Sequence, residues 1–112
     1  MKSLKNTWVL VTGAASGIGL ACAKAYARRG AHIIMTDINA AALASVTGHI
    51  TALGVQCKSL ECDVSSEASI NACAAAVHQD VGALDVLVNN AGTYYLGGFL
   101  ETPLDVWQRM YQ

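Results

Sequence analysis

Hydrophobic and polar positions alternate along the chain in blocks of two kinds. Trp8–Val11 is a continuous apolar, largely β-branched run, the pattern of a strand buried on both faces. Ser16 to Arg29 is Ala-rich, with Ile18, Ala21, Cys22, Ala25 and Tyr26 spaced for one face of a helix. Arg28 and Arg29 suit the negative end of that helix, and Gly30 suits its stop. His32–Thr36 reads as a second strand. Asn39 is a good N-cap for a helix with Leu43, Val46, Ile50 and Leu53 inward, closed by Gly54. A less regular third strand is predicted over Val55–Cys62. Ser65 or Ser66 caps a third helix, Glu67 favours its first turn, and Ile70, Cys73, Val77 and Val81 form its buried stripe up to Gly82. Val86–Val88 is the fourth strand. A Gly-rich loop follows over Asn90–Gly98, and Thr102-Pro103-Leu104-Asp105 opens a last helix.

Strand–helix–strand alternation at this spacing predicts an α/β fold. The expected architecture is a partial, Rossmann-type doubly wound parallel sheet of about four strands in the order 3-2-1-4, with helices on both faces. The fourth strand then lies at an edge with unpaired backbone groups, so this chain in isolation is expected to aggregate or fold poorly.

Composition narrows the function classes. Of 112 residues, 54% are hydrophobic and only 13% charged, with a net charge of -1. Disorder needs low hydrophobicity and high charge, and it is excluded. A nucleic-acid partner held by bulk positive charge is excluded for want of a basic excess. The longest uncharged windows, Asn6–Ala23 and Ile38–Cys57, are interrupted by polar residues and glycines, so no membrane partner is expected. Lys2 and Lys5 precede an apolar run that breaks at Thr12-Gly13, too short for a signal core; the expectation is a cytoplasmic protein. Cys22, Cys57, Cys62 and Cys73 match no metal spacing and read as reduced, buried thiols. Three dispersed histidines make no metal site: His32 reads as strand packing, His49 and His78 as solvent-side helix positions.

Four segments carry candidate chemistry. Thr12-Gly13-Ala14-Ala15-Ser16-Gly17-Ile18-Gly19 joins the first strand to the first helix. A Gly-rich turn there lets backbone approach a phosphate, while the helix start offers N–H donors and partial positive charge. Asp37 ends the second strand, where a carboxylate can accept hydrogen bonds from an adenosine ribose diol and would repel a 2′-phosphate. Neither Ser16 nor Ile38 supplies a cation to offset that repulsion, which favours NAD over NADP. Asp63-Val64, after the third strand, suits an adenine ring, although on spacing alone Asp63 suits capping of the following helix nearly as well. Asn89-Asn90-Ala91-Gly92, after the fourth strand, allows close approach of a ligand. All four lie at the carboxyl ends of strands, where open α/β sheets bind ligands.

Together these motifs resemble the short-chain dehydrogenase/reductase family, in order and over nearly the whole chain. The spacing Thr12-Gly13-x-x-x-Gly17-Ile18-Gly19 is similar to its TGxxxGxG branch. The resemblance implies NAD binding, with NADP second, and hydride transfer at a small-molecule alcohol or carbonyl. It implies pyrophosphate contacts from Gly13, Ala15, Ser16, Gly17, Ile18 and Gly19, and ribose contacts at Asp37 and Ile38. Asp63 and Val64 would face adenine, and Asn89, Ala91 and Gly92 would lie beside the cofactor. It also implies a homo-oligomer for the complete enzyme. The family's Tyr-x-x-x-Lys pair is absent: four positions after Tyr26, Tyr94 and Tyr95 stand Gly30, Gly98 and Phe99, and Tyr111 has no residue at that spacing. The family's active-site Asn would fall just past Gln112. Residues 1–112 are therefore expected to be the N-terminal, cofactor-binding part of a single domain, inactive alone. The alternatives are a non-catalytic dinucleotide-binding module and, against the glycine spacing, an isomerase or lyase of the same fold.

Overall fold

The computed structural model describes residues 4–63 and 65–88. They form β1 (Trp8–Thr12), α1 (Gly17–Arg28), β2 (His32–Asp37), α2 (Ala40–Thr51), β3 (Cys57–Glu61), α3 (Glu67–Val81) and β4 (Val86–Val88). All strand pairs are parallel, in the order β3-β2-β1-β4 that the sequence predicts. The loop and last helix expected after residue 88 lie outside the described residues.

The two faces of the sheet explain the unbroken apolar runs. On one face, Val9, Val11, Ile33 and Met35 pack with Ala23 and Ala27 of α1 and Leu43 and Ile50 of α2. On the other, Leu10 and Ile34 pack with Ala74 and Val77 of α3 and with Leu84. Successive strand side chains point to opposite faces. A strand covered on both sides therefore needs an apolar residue at every position, and Val9, Leu10 and Val11 are all at most 2% exposed. The register sets Leu10 beside Ile34 and Leu87, so the central strand is flanked on both sides.

Two expectations about burial and one about strand length change. The inner row of α1 is Gly19, Ala23 and Ala27, with Leu20, Cys22 and Tyr26 half-buried, whereas Ala21, Ala25 and Ile18 are exposed. Small residues four apart let the helix lie close against β1 and β2, and this outweighs the pull of the larger Ile18 toward the core. Leu53 is also exposed, because α2 ends at Thr51 and the chain leaves the sheet before reaching it. Finally, β3 is shorter than Val55–Cys62: its pairing runs only from Cys57, opposite Ile33, to Glu61, opposite Asp37. It pairs with β2 alone among the described residues, and its positions are half-buried or exposed.

The four thiols are free; Cys62 is buried and the other three are half-buried rather than buried. His32 is half-buried and lies against the Trp8 ring, centroids 5.0 Å apart, while its Nδ1 accepts from the Gln56 N–H at 3.0 Å. His49 and His78 are exposed on their helices.

Candidate functional site

The carboxyl ends of β1, β2 and β3 bring the first three candidate segments to one edge of the sheet. Thr12 ends β1, and Gly13 turns the chain at φ 60°. The Ala14 N–H then donates to the Thr36 carbonyl at 3.0 Å, and the Ala15 N–H donates to Asp37 Oδ2 at 3.1 Å. These two bonds hold the turn flat over the end of β2. Ala14 and Ala15 are buried beneath it, while Ser16, Gly17 and Ile18 face outward.

The helix α1 starts without a side-chain cap. Ser16 occupies the N-cap position in extended geometry, yet its side chain makes no capping bond, and the first turn of α1 holds no acid. The helices α2 and α3 differ. Asn39 Oδ1 accepts from the Ala42 N–H at 2.9 Å, and Ser66 Oγ accepts from the Ser69 N–H at 3.2 Å. The first N–H groups of any helix lack partners within it. At α1 no side-chain cap competes for them, so they and the helix dipole suit an anion. Gly17 sits at φ +58°, and a Cβ built there meets nothing within 4 Å, so the space above the helix start is open.

Asp37 stands beside this opening. Its Oδ2 holds the Ala15 N–H, and its Oδ1 holds the Asn39 N–H at 3.0 Å. A carboxylate has about four acceptor positions. Two are used by the protein, which leaves about two for a ligand's hydroxyls. Ile38, next in the chain, is 58% exposed at the same edge, and Ile18, at the start of α1, is 74% exposed.

Asp63 belongs to the neighbouring turn. The Cys62 N–H donates to the Asp37 carbonyl at 3.0 Å, which ties the two acid-bearing turns together. Asp63 Oδ1 accepts from the Ser65 hydroxyl at 2.6 Å and from its N–H at 2.9 Å. The Ser65 hydroxyl, then its N–H, hold the exposed Asp63 carboxyl below the usual carboxylate range. The cap of α3 is Ser66, so the local role of Asp63 is to close the turn before that cap, with one oxygen outside these bonds. Val64, Asn89, Ala91 and Gly92 lie outside the described residues. Two contributors escaped the sequence reading: the Thr36 carbonyl, which anchors the glycine turn, and the Asn39 backbone, whose only signal is the Asp-x-Asn spacing of an Asx turn.

Among the described residues no three His, Cys, Asp or Glu side chains come together to hold a metal ion, and no helix is long and apolar enough to cross a membrane. What the described residues bring together is an uncapped helix start with open space above it and, beside it, a carboxylate with acceptor positions to spare.

Comparison with known proteins bears on the family and the fold. The sequence model of a family described as short chain dehydrogenase matches residues 7–112. An uncharacterized oxidoreductase, YxbG of Bacillus subtilis (strain 168), is 39% identical over 111 residues, covering 98% of this chain and 41% of its own length. NAD+-bound xylitol dehydrogenase superposes with a TM-score of 0.78 at 33% identity, covering 97% of this chain and 42% of that one. L-sorbose reductase from Gluconobacter frateurii, complexed with NADPH and L-sorbose, superposes with a TM-score of 0.79 at 27% identity, covering 96% and 46%. The chain thus spans less than half the length of the relatives it matches.

Proposed function

The chain belongs to the short chain dehydrogenase family, and from that premise we propose that it carries the dinucleotide-binding half of an NAD-dependent oxidoreductase. When bound, the nicotinamide dinucleotide accepts or donates the hydride exchanged with an alcohol or carbonyl substrate. The residues present bind and orient it. The uncapped start of α1, reached through Gly13, Ser16, Gly17 and Ile18, faces the pyrophosphate. Asp37 accepts from the adenosine ribose diol, and the exposed Ile38 follows it in the chain at the same sheet edge. The family resemblance assigns Asp63 and Val64 to adenine, and Asn89, Ala91 and Gly92 to the rest of the cofactor.

The observation that carries this reading is Asp37. Its carboxylate is held by the Ala15 and Asn39 N–H groups at the mouth of the glycine turn, with acceptor positions left over for two adjacent hydroxyls. No Lys or Arg stands at Ser16 or Ile38, so a 2′-phosphate would meet the Asp37 charge uncompensated. Relatives bound to NAD and to NADPH both exist, and this electrostatic difference is what favours NAD here.

The same reading makes residues 1–112 the N-terminal part of one Rossmann domain. Its Tyr-x-x-x-Lys pair is not among these residues, so residues 1–112 alone turn nothing over. Xylitol and L-sorbose relatives suggest small polyols and their ketones as the first substrates to test, and the family resemblance suggests a homo-oligomer as the working assembly. The test is calorimetric titration of the native-length protein with NAD and NADP, followed by NADH absorbance with a polyol panel. NAD binding at least about tenfold tighter than NADP is expected, a gap of about 1.4 kcal/mol. Equal or tighter NADP binding would overturn the preference, and absence of dinucleotide binding would overturn the function.

A further inference from the structure

The turn after β3 holds a group that dinucleotide binding does not use. The Cys62 thiol is buried and donates to the Ser69 carbonyl of α3, Sγ to O 3.9 Å. The next residue repeats the attachment: the Asp63 N–H donates to Ser69 Oγ at 2.9 Å. Residues 62 and 63 are thereby pinned over one point of α3. Cys73 is four residues beyond Ser69, on the same face of that helix and one turn along it. Within α3 the Ser69 carbonyl is the helical acceptor for the N–H of Cys73, four residues on, so one carbonyl takes both the Cys62 thiol and the Cys73 backbone and sets the two cysteines side by side. Cys73 is half-buried, so the pair is not sealed off from solvent.

We propose that Cys62 and Cys73 form an oxidisable dithiol, which hydrogen peroxide converts to a disulfide tying the end of β3 to the second turn of α3. The chemistry balances as two thiols plus one peroxide giving one disulfide and two waters. Cys62 Sγ attacks a peroxide oxygen; the O–O bond breaks, the distal oxygen leaves as water, and Cys62 becomes a sulfenic acid. Cys73 Sγ then attacks the Cys62 sulfur; the S–O bond breaks, the S–S bond forms, and the second water leaves with the Cys73 proton. Two electrons pass from the two sulfurs to the peroxide.

The order of attack follows from the contact. The Cys73 S–H supports a thiolate on Cys62 and lowers its pKa; burial opposes this, the Ser69 hydroxyl adds to it, and the Asp63 charge opposes it. As the donor, Cys73 keeps its proton longer, and burial reinforces that. Cys57, on β3, contrasts with the pair: burial pushes its thiol up to about 11, which suppresses its thiolate.

Trypsin separates the pair from the rest. There is no Lys or Arg between Lys58 and Arg109, so residues 59–109 form one fragment that holds Cys62 and Cys73 and neither of the other cysteines. The native-length protein is exposed to hydrogen peroxide, alkylated, digested and weighed without reduction. The expected fragment is lighter by about 2 Da than the reduced, unalkylated one and carries no alkyl group, and dithiothreitol restores both alkylation sites. The Cys73→Ser variant is expected to leave Cys62 as a sulfenic acid that dimedone traps. Two results would overturn the proposal: both cysteines still alkylated after peroxide treatment, or separate sulfinic acids on the fragment with no loss of two hydrogens.

Discussion

Asp37→Asn separates the two jobs assigned to one carboxylate. In the native protein Oδ1 and Oδ2 each accept one backbone N–H, from Asn39 at 3.0 Å and Ala15 at 3.1 Å. An amide is nearly isosteric, but one of its two ends is a donor. That end then faces a backbone N–H, so one tether is lost, and the ribose diol loses an acceptor together with the charge. A hydrogen bond to a charged group contributes about 1.5–3 kcal/mol. At about 1.4 kcal/mol per decade, NAD binding should weaken by about 10- to 150-fold. The tether itself matters less, because Asp37 is only half-buried and water can replace a lost partner; about 0.5–1.5 kcal/mol of folding stability is at stake. NADP should respond differently. Removing the charge relieves repulsion of the 2′-phosphate, about 1–4 kcal/mol per unit charge at 4 Å for effective dielectric constants between water and a protein surface. The ratio of NADP to NAD dissociation constants should therefore fall by more than either constant alone would suggest. Calorimetric titration with both dinucleotides gives the ratio, and urea unfolding gives the stability. If the variant binds NAD within about twofold of the parent and its selectivity is unchanged, a difference of under about 0.5 kcal/mol, Asp37 does not read the ribose.

Local geometry yields two more expected outcomes. Gly17→Ala places a side chain at φ +58°, which costs about 1–2 kcal/mol in the left-handed region, and projects its methyl into the open space above α1. A lower unfolding midpoint and weaker dinucleotide binding are expected together; normal binding would remove Gly17 from the cradle. Cys57, with its thiol pushed up to about 11, keeps its proton in the folded state while the unfolded thiol ionises near about 8.5. The unfolded state then binds fewer protons than the folded one, so stability falls as pH rises from about 9 towards 11. Urea unfolding across that range should show a shallower decline in Cys57→Ala, and identical slopes would refute the assignment.

Much of the molecule was legible along the chain because its signals are local. Apolar runs and Ala-rich segments marked the four strands and three helices, and Asn39 and Ser66 cap where short-range hydrogen bonding says they should. The strand order also followed, since crossover connections leave few alternatives. Asp37 and the glycine turn could be named from their positions at strand ends. Their mutual geometry could not. The Ala15 N–H reaches Asp37 across 22 residues, and the Cys62 N–H reaches the Asp37 carbonyl across 25, distances set by the register of β1 on β2 and of β2 on β3. Which side of α1 is buried was likewise decided in three dimensions. Gly19, Ala23 and Ala27 face the sheet because small side chains permit close approach, and Ile18 is turned out beside the site. The Cys62–Cys73 contact is of the same kind. Composition read those thiols as separate small hydrophobes, and only the packing of α3 against the end of β3 makes them a pair. Periodicity depends on neighbours a few residues apart and is written in the sequence. Contacts between elements depend on how sheets register and helices pack, and tertiary structure alone decides them.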